Sequence, residues 1–178
     1  FSLQDPIELE PGHYIEFSLK SKKIQKKKFF LPKNNLIKKD TSILKIGEKF
    51  NDILNESSKN RTMGDVPICT MLSGGIDSYL TTYYVFKNLK KSNPSFEPIS
   101  YVYGVKGKNI IDVEKARLAS KGFSEIGHKL IEVLGEPEDL VSDVPGIVYS
   151  FERRKLKALS FYPLPIYWYL APRMKKNG

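Results

Sequence analysis

The chain has 178 residues, of which 40% are hydrophobic and 12% aromatic, and it carries a formal net charge of +9. This length favours one domain plus a fragment over two full domains, and the hydrophobic content is sufficient for a buried core. No segment approaches the ~18 uninterrupted apolar residues of a transmembrane helix. The single cysteine, Cys69, excludes an internal disulfide and is typical of a reducing compartment, here the cytoplasm.

Residues 1–31 are predicted to form a β-hairpin. Apolar and polar side chains alternate along His13–Leu19, as they do in a half-buried strand. A turn around Ser21 would lead into a return strand over Ile24–Phe30. Because two strands alone are marginally stable in water, this hairpin should pack on further structure. Residues 32–40 are interpreted as a linker.

The positive charge is concentrated in one segment. Residues 20–39 contain nine lysines and no acidic residue, whereas the rest of the chain is balanced. Such a segment could bind nucleic acid or an anionic surface, but it is more typical of a solvated hairpin edge or linker. We therefore do not expect a nucleic-acid partner.

Helices and strands alternate over residues 41–178. A first helix is expected to begin near Asp40–Ser42 and to end before the break at Ser57–Gly64. The elements that follow are strand 66–72, helix 76–91, strand 98–104, helix 112–121, strand 126–133, a helix from Glu136 and an aromatic segment over 161–170. This order predicts an α/β fold, a Rossmann-like, doubly wound parallel sheet with flanking helices, preceded by the hairpin.

The most informative segment is the turn between strand 66–72 and the helix that follows it. Leu72-Ser73-Gly74-Gly75-Ile76-Asp77-Ser78 combines small residues, two glycines and two hydroxyls. The glycines permit close approach of a ligand, and amide hydrogens at the start of a helix attract phosphate. Asp77 would repel a bare pyrophosphate, so its presence predicts a Mg²⁺ ion between carboxylate and phosphates. An ordinary strand–turn–helix connection remains the alternative.

This loop resembles the pyrophosphate loop of the N-type ATP pyrophosphatases. Its surroundings resemble the glutamine-dependent asparagine synthetases, in which a similar Pro-Gly hairpin closes the glutaminase domain. The residues that carry this similarity are Leu9–Tyr14, Asp65–Pro67, Leu72, Tyr101–Gly104, Asp112, Ala116, Ala119, Gly122, His128, Tyr149 and Glu152. The resemblance implies a fold like that of the adenine nucleotide α-hydrolases, with residues 1–31 ending a glutaminase-like domain and residues 41–178 forming the synthetase domain.

The resemblance also implies a reaction. The side-chain carboxylate of aspartate would attack the α-phosphorus of ATP, and ammonia, free or derived from glutamine, would convert the β-aspartyl-adenylate to asparagine, AMP and pyrophosphate. ATP would contact Leu72, Ser73, Gly74, Gly75, Asp77, Ser78, Tyr103 and Gly104, and Asp77 would be the catalytic and Mg²⁺-binding residue. Asp112 is a second metal candidate and equally a helix N-cap. Lys106 and Lys108 are candidates for contact with the α-phosphate, and Glu152 is assigned to the amino-acid pocket.

Two features keep other interpretations open. A second loop of the form S-G-E-G-A-D-E, which would follow in the resembled family, does not occur in the sequence, and neither does a glutaminase domain. We therefore expect a truncated or proteolysed chain or one subunit of a split protein, with a homo-oligomer as a candidate assembly. The alternatives are a tRNA-modifying enzyme with the same loop type and a non-catalytic nucleotide-binding remnant.

Overall fold

The computed structural model describes residues 9–31, 42–107, 111–150 and 163–177. The chain divides into two compact units, Phe1–Ile43 and Leu44–Gly178. The predicted linker at 32–40, the N-cap candidates Asp40 and Thr41, Lys108 and Glu152 lie outside the described residues.

The first unit contains the predicted hairpin. Strand β1 (His13–Phe17) pairs antiparallel with β2 (Ile24–Lys28), with His13 opposite Lys28 and Phe17 opposite Ile24. Ser18 N–H donates to the Lys23 carbonyl at 3.0 Å and closes the turn. Both strands are two residues shorter than expected, because β1 ends at Phe17 where the chain enters this turn, and β2 ends at Lys28, opposite the first residue of β1.

The side chains of the hairpin are exposed and not half-buried as their alternation predicted. Ile15 and Phe17 are each 53% exposed, because two strands have no second layer of their own to cover either face. Lys26 and Lys27 form ion pairs with Glu10 and Glu16. In the described part of the hairpin, the lysines therefore lie in solvent along its edges.

The second unit begins with helix α1 (Ile43–Arg61), which continues past the break expected at Ser57. Its last turn is tied by side chains, since Arg61 Nη1 donates to the Ser57 carbonyl at 3.0 Å and Thr62 Oγ1 donates to the Lys59 carbonyl at 3.0 Å. These bonds satisfy carbonyls that a helix end otherwise leaves without partners, so the helix extends through the serines.

Helix α1 contacts α2 (Ile76–Ser92) through polar side chains. Tyr84 Oη donates to Asn51 Oδ1 at 2.7 Å, and Asn88 Nδ2 donates to the Asn55 carbonyl at 3.2 Å. The apolar side chains that recur at helical spacing along α1 are largely exposed, with Phe50 51% and Ile53 54% accessible.

Three parallel strands form the sheet, in the order β3-β4-β5. They are β3 (Thr70–Met71), β4 (Ile99–Val105) and β5 (Lys129–Gly135). The predicted strand 66–72 is therefore too long: Val66 is 72% exposed, and Pro67 lacks the N–H that a strand ladder requires. The predicted strand 126–133 is displaced, because Ser124–Ile126 forms a 3₁₀ turn that ends at the left-handed Gly127.

Helices α2 and α3 (Ile111–Lys121) pack against one face of the sheet. Their apolar core consists of the buried residues Leu72, Val102, Val113, Ala116 and Phe123. Because successive side chains of a strand point to opposite faces, Val102 shares this face with Ser100, while Tyr101 and Tyr103 point to the other one.

A polar layer is buried on the same face as this core. Ser120 Oγ contacts His128 Nδ1 at 2.9 Å, and His128 Nε2 contacts Ser100 Oγ at 2.9 Å. Ser100 Oγ contacts Thr70 Oγ1 at 2.7 Å, and Thr82 Oγ1 donates to Thr70 Oγ1 at 3.1 Å. Partial burial lowers the pKa of His128 below its usual value, because desolvation disfavours the charged imidazole.

Two further helices, α4 (Pro137–Ser150) and α5 (Leu164–Lys176), complete the described unit. Helix α5 covers the opposite face of β4, where Tyr101 Oη accepts a hydrogen bond of 2.9 Å from Asn177 Nδ2. Helices therefore lie on both faces of a parallel sheet, and the predicted α/β class with a preceding hairpin is confirmed.

Candidate phosphate-binding site

The glycine loop leaves the sheet directly after β3. Leu72 is fully buried, and its N–H donates to the Tyr101 carbonyl at 2.9 Å, which extends the pairing of β3 with β4 by one residue. Gly74 then adopts a left-handed conformation with φ +76°, and Gly75, with φ −74° and ψ 157°, is the N-cap of α2. The N–H groups of the first helical turn have no acceptor within the helix, so the loop ends in donors suited to an anion.

The two serines brace the loop against itself. Ser73 Oγ and Ser78 Oγ lie 3.0 Å apart, and Ser73 N–H donates to Ser78 Oγ at 3.3 Å. Ser78 Oγ in turn donates to the Gly75 carbonyl at 3.0 Å. These bonds stabilise the conformation of the loop. Because the hydroxyl of Ser78 already donates to the Gly75 carbonyl, the backbone amides are the more available donors for a ligand.

Gly74 is required by packing as well as by conformation. A Cβ atom at this position would lie 2.3 Å from the carbonyl carbon of Lys115 and 2.5 Å from its Cβ. Helix α3 therefore lies directly against the loop. Gly75 has no such constraint, since the nearest atom to a Cβ there is Ser73 Oγ at 3.6 Å.

Asp77 lies in the first turn of α2 and is exposed. Within the described residues it has neither an ion pair nor a side-chain hydrogen bond, and no cluster of three or more His, Cys, Asp or Glu side chains could hold a metal there. A cation at Asp77 would thus take its remaining ligands from phosphate and water. This set suits Mg²⁺, which proteins commonly bind through one or two carboxylates together with substrate phosphates.

Tyr103 and Gly104 lie at the carboxyl end of β4, next to the point where β3 stops. Gly104 is paired with Leu134 of β5. Because Tyr101 directs its carbonyl to Leu72, and alternate residues of a strand share the same side, the backbone N–H and C=O of Tyr103 face the side that β3 has left. This is an open backbone edge beside the glycine loop.

The ring of Tyr103 has another partner. It stacks on Tyr169 of α5, with ring centroids 5.2 Å apart and planes at 4°. Its buried hydroxyl has no hydrogen-bond partner in the described part of the chain, and burial, together with the nearby Asp143, raises the pKa of this phenol. Only the backbone of Tyr103 is therefore free to contact a ligand at the loop.

Asp143 binds two aromatic side chains of α5, a role that the sequence did not indicate. Its Oδ2 accepts hydrogen bonds from Tyr169 Oη at 2.8 Å and from Trp168 Nε1 at 3.3 Å. Burial first, and the contact with Asp143 second, raise the pKa of Tyr169. The described aromatic residues of α5 thus pack between α4 and β4.

The remaining candidates are only partly brought to the loop. Asp112 is the second residue of α3, in its exposed first turn, and so lies inside the helix and not at its cap. Lys106 forms an ion pair with Glu136, which raises the pKa of the lysine and commits its charge to the end of β5. Lys106 would have to leave this partner to contact phosphate.

A cleft of about 720 Å³ lies elsewhere, at the amino end of the sheet. Its lining includes Cys69, Ile99 and Tyr101 with Met174 of α5, and burial raises the pKa of the Cys69 thiol. The cleft is separate from the glycine loop, which follows the opposite ends of the strands.

None of the described helices is both long and apolar enough to cross a bilayer.

Comparison with known proteins shows similarity to a protein family and to a curated relative. The family model "Asparagine synthase" matches residues 49–178. Asparagine synthetase [glutamine-hydrolyzing] 1 of Bacillus subtilis (strain 168) is 30% identical over 108 residues, which are 61% of this chain and 16% of that protein. The match to the relative spans about one sixth of that protein's length, and the residues matched by the family model include the glycine loop.

Proposed function

The chain belongs to the asparagine synthase family, a family of ligases that use ATP, and we propose that its glycine loop binds the pyrophosphate portion of ATP during adenylation of a carboxylate. The acyl substrate would be aspartate, activated through its side chain as a β-aspartyl-adenylate. Ammonia would then displace AMP to form asparagine, with pyrophosphate as the other product. A cytoplasmic location, as expected from the single cysteine, is part of the same proposal.

One observation supports this proposal: the backbone amides at the start of α2 lie beside the carboxyl end of β4, on the side where β3 has already stopped. The phosphates of a nucleotide can bind to these amides, while the polar edge of its base binds to the exposed backbone of β4. Backbone groups suit this task because they recognise the polar edge of adenine without the conformational freedom of side chains. The residues involved would be Leu72, Ser73, Gly74, Gly75, Ser78, Tyr103 and Gly104.

Asp77 would hold the Mg²⁺ that the nucleotide brings. The ion, when bound, neutralises charge on the phosphates and stabilises the leaving pyrophosphate. The chain's own contribution would be to orient the nucleotide: the loop amides would hold the pyrophosphate and so restrict the position of the α-phosphorus that it adjoins. Asp112 is retained as a second, weaker candidate for the same ion.

The domain assignment is also a proposal. Residues 1–31 would be the last hairpin of a glutaminase-like domain, 32–40 a linker, and 41–178 the synthetase domain. The exposed apolar side chains of the hairpin support this assignment, because they are suited to packing against further structure. Glutamine would then serve as the source of ammonia.

The proposal is tested by nucleotide binding and by isotope exchange. Titration calorimetry with ATP should give binding that strengthens with Mg²⁺, and Asp77→Asn should abolish that Mg²⁺ dependence. Asp52→Asn, a charge-matched change on the exposed surface of α1, should leave it intact. Aspartate-dependent exchange of labelled pyrophosphate into ATP should follow from the adenylation step.

The outcomes separate the candidate functions. ATP binding with aspartate-dependent exchange supports the ligase, whereas ATP binding without exchange for any carboxylate would indicate a nucleotide-binding remnant. Binding of tRNA with a steep salt dependence would favour a tRNA-modifying enzyme. Absence of ATP binding would refute the proposal as a whole.

A further inference from the structure

We propose that Lys115 of α3 supplies the positive charge that binds the polyphosphate at the glycine loop. This inference rests on the proposed function, because it concerns how the same site holds ATP. The loop needs a cation from elsewhere in the chain, because Leu72–Ser78 contains no basic side chain and one acidic residue, Asp77.

The first argument is distance. The missing Cβ of Gly74 would lie 2.5 Å from Lys115 Cβ and 2.6 Å from the Lys115 carbonyl oxygen. The helix backbone and the root of the lysine side chain therefore contact the loop. Four further bonds extend from Cβ to Nζ, a reach of about 5 Å, so the ammonium group can contact an anion that is bound by the loop amides.

The second argument is direction. Helical side chains lean toward the amino terminus of their helix. Helix α3 begins at Ile111, four residues beyond the turn at Gly107 that follows β4, so its amino terminus lies at the carboxyl edge of the sheet. Lys115 consequently leans toward the edge at which the glycine loop opens.

The third argument is charge. Two neighbouring cations are already neutralised: Lys106 pairs with Glu136, and Arg117 makes a bidentate pair with Glu132 at 2.7 Å for both contacts. Lys115, in contrast, is exposed and has no ion pair among the residues that the structure describes. Asp112, one turn earlier on α3, is exposed to solvent, where such a pairing would be weak. Lys115 is therefore available for phosphate.

The test compares three variants of the full chain by calorimetry. Lys115→Gln removes the charge, Lys115→Arg keeps it, and Lys121→Gln removes a charge from the last turn of the same helix. The probes are ATP with Mg²⁺, inorganic pyrophosphate with Mg²⁺, and adenosine. We expect Lys115→Gln to raise the Kd of both phosphate-containing probes about tenfold, as for loss of one charged hydrogen bond. Adenosine binding should not change.

Lys115→Arg should remain within about twofold of the wild-type Kd, as should Lys121→Gln, because each retains a cation at the loop. Unfolding curves should coincide for all variants, since it is the backbone and Cβ of Lys115 that pack against Gly74. If the wild type binds ATP and Asp77→Asn weakens that binding while Lys115→Gln does not, the role of Lys115 is refuted and the ATP site stands. If the wild type binds neither phosphate probe, both proposals fail.

Discussion

Replacement of Gly74 by alanine should destabilise the protein for two separable reasons. The first is conformational: with φ at +76°, an added Cβ costs about 1–2 kcal/mol. The second is steric, because that Cβ would lie 2.3 Å from the Lys115 carbonyl carbon. Overpacking of this kind costs about 1–3 kcal/mol, so we expect a total of roughly 2–5 kcal/mol.

Two other glycines allow the two terms to be measured separately. Gly127 also has a positive φ, +74°, but nothing lies within 4 Å of an added Cβ, so Gly127→Ala should cost only the conformational term, about 1–2 kcal/mol. Gly75 has an ordinary φ and a nearest neighbour at 3.6 Å. Gly75→Ala should stay within about 0.5 kcal/mol of wild type, because a stiffer unfolded chain offsets a poorer N-cap.

Urea denaturation followed by far-ultraviolet circular dichroism gives the three free energies of unfolding. The expected order of destabilisation is Gly74→Ala, then Gly127→Ala, then Gly75→Ala. If Gly74→Ala costs no more than Gly127→Ala, then α3 does not lie against the loop as described. In that case the geometric basis for a role of Lys115 would be lost as well.

Two further predictions concern buried polar groups. Because burial lowers the pKa of His128 in the folded state, stability should be complete above pH 6.5, the usual value, and should fall as the pH drops below it. This loss should be smaller in His128→Gln, and identical pH profiles would contradict the neutral, buried imidazole. Asp143→Ala should cost about 1–3 kcal/mol in urea denaturation, because it leaves Trp168 Nε1 and Tyr169 Oη without their acceptor. An unchanged denaturation midpoint would show that these bonds do not hold α4 to α5.

Local patterns were sufficient to predict the order of elements and the glycine loop. Apolar runs bounded by glycine and proline indicated the strands, helical spacing of apolar residues indicated α1, and Pro94 and Gly122 indicated where α2 and α3 end. The ends of β3 and β5 were predicted incorrectly because a strand ends where its partner ends, and the partner lies about thirty residues away: Met71 pairs with Tyr101. Val66 is as apolar as a core residue, but no strand among the described residues lies beside it to pair with.

The contacts that shape the site depend on distant parts of the chain. Gly74 and Lys115 are separated by 41 positions, and the stacked rings of Tyr103 and Tyr169 by 66. Lys115 stands in an amphipathic helix among other charged residues, so nothing in its local pattern distinguishes it from a solvated side chain. The sequence could therefore indicate the chemistry of the loop but not the helix that lies against it.

The buried hydroxyl layer has a consequence for the imidazole that it surrounds. Thr82 donates to Thr70, and when Thr70 in turn donates to Ser100, the proton of Ser100 is directed to His128 Nε2. In that arrangement His128 accepts at Nε2 and carries its own proton on Nδ1, which donates to Ser120. This direction of donation runs from α2 through β3 and β4 to His128, the residue before β5, and on to α3, and it goes with one tautomer of the ring. A second proton on the ring would make Ser100 Oγ accept from Nε2 and donate to Thr70 Oγ1, whose two lone pairs would then accept from both Ser100 and Thr82.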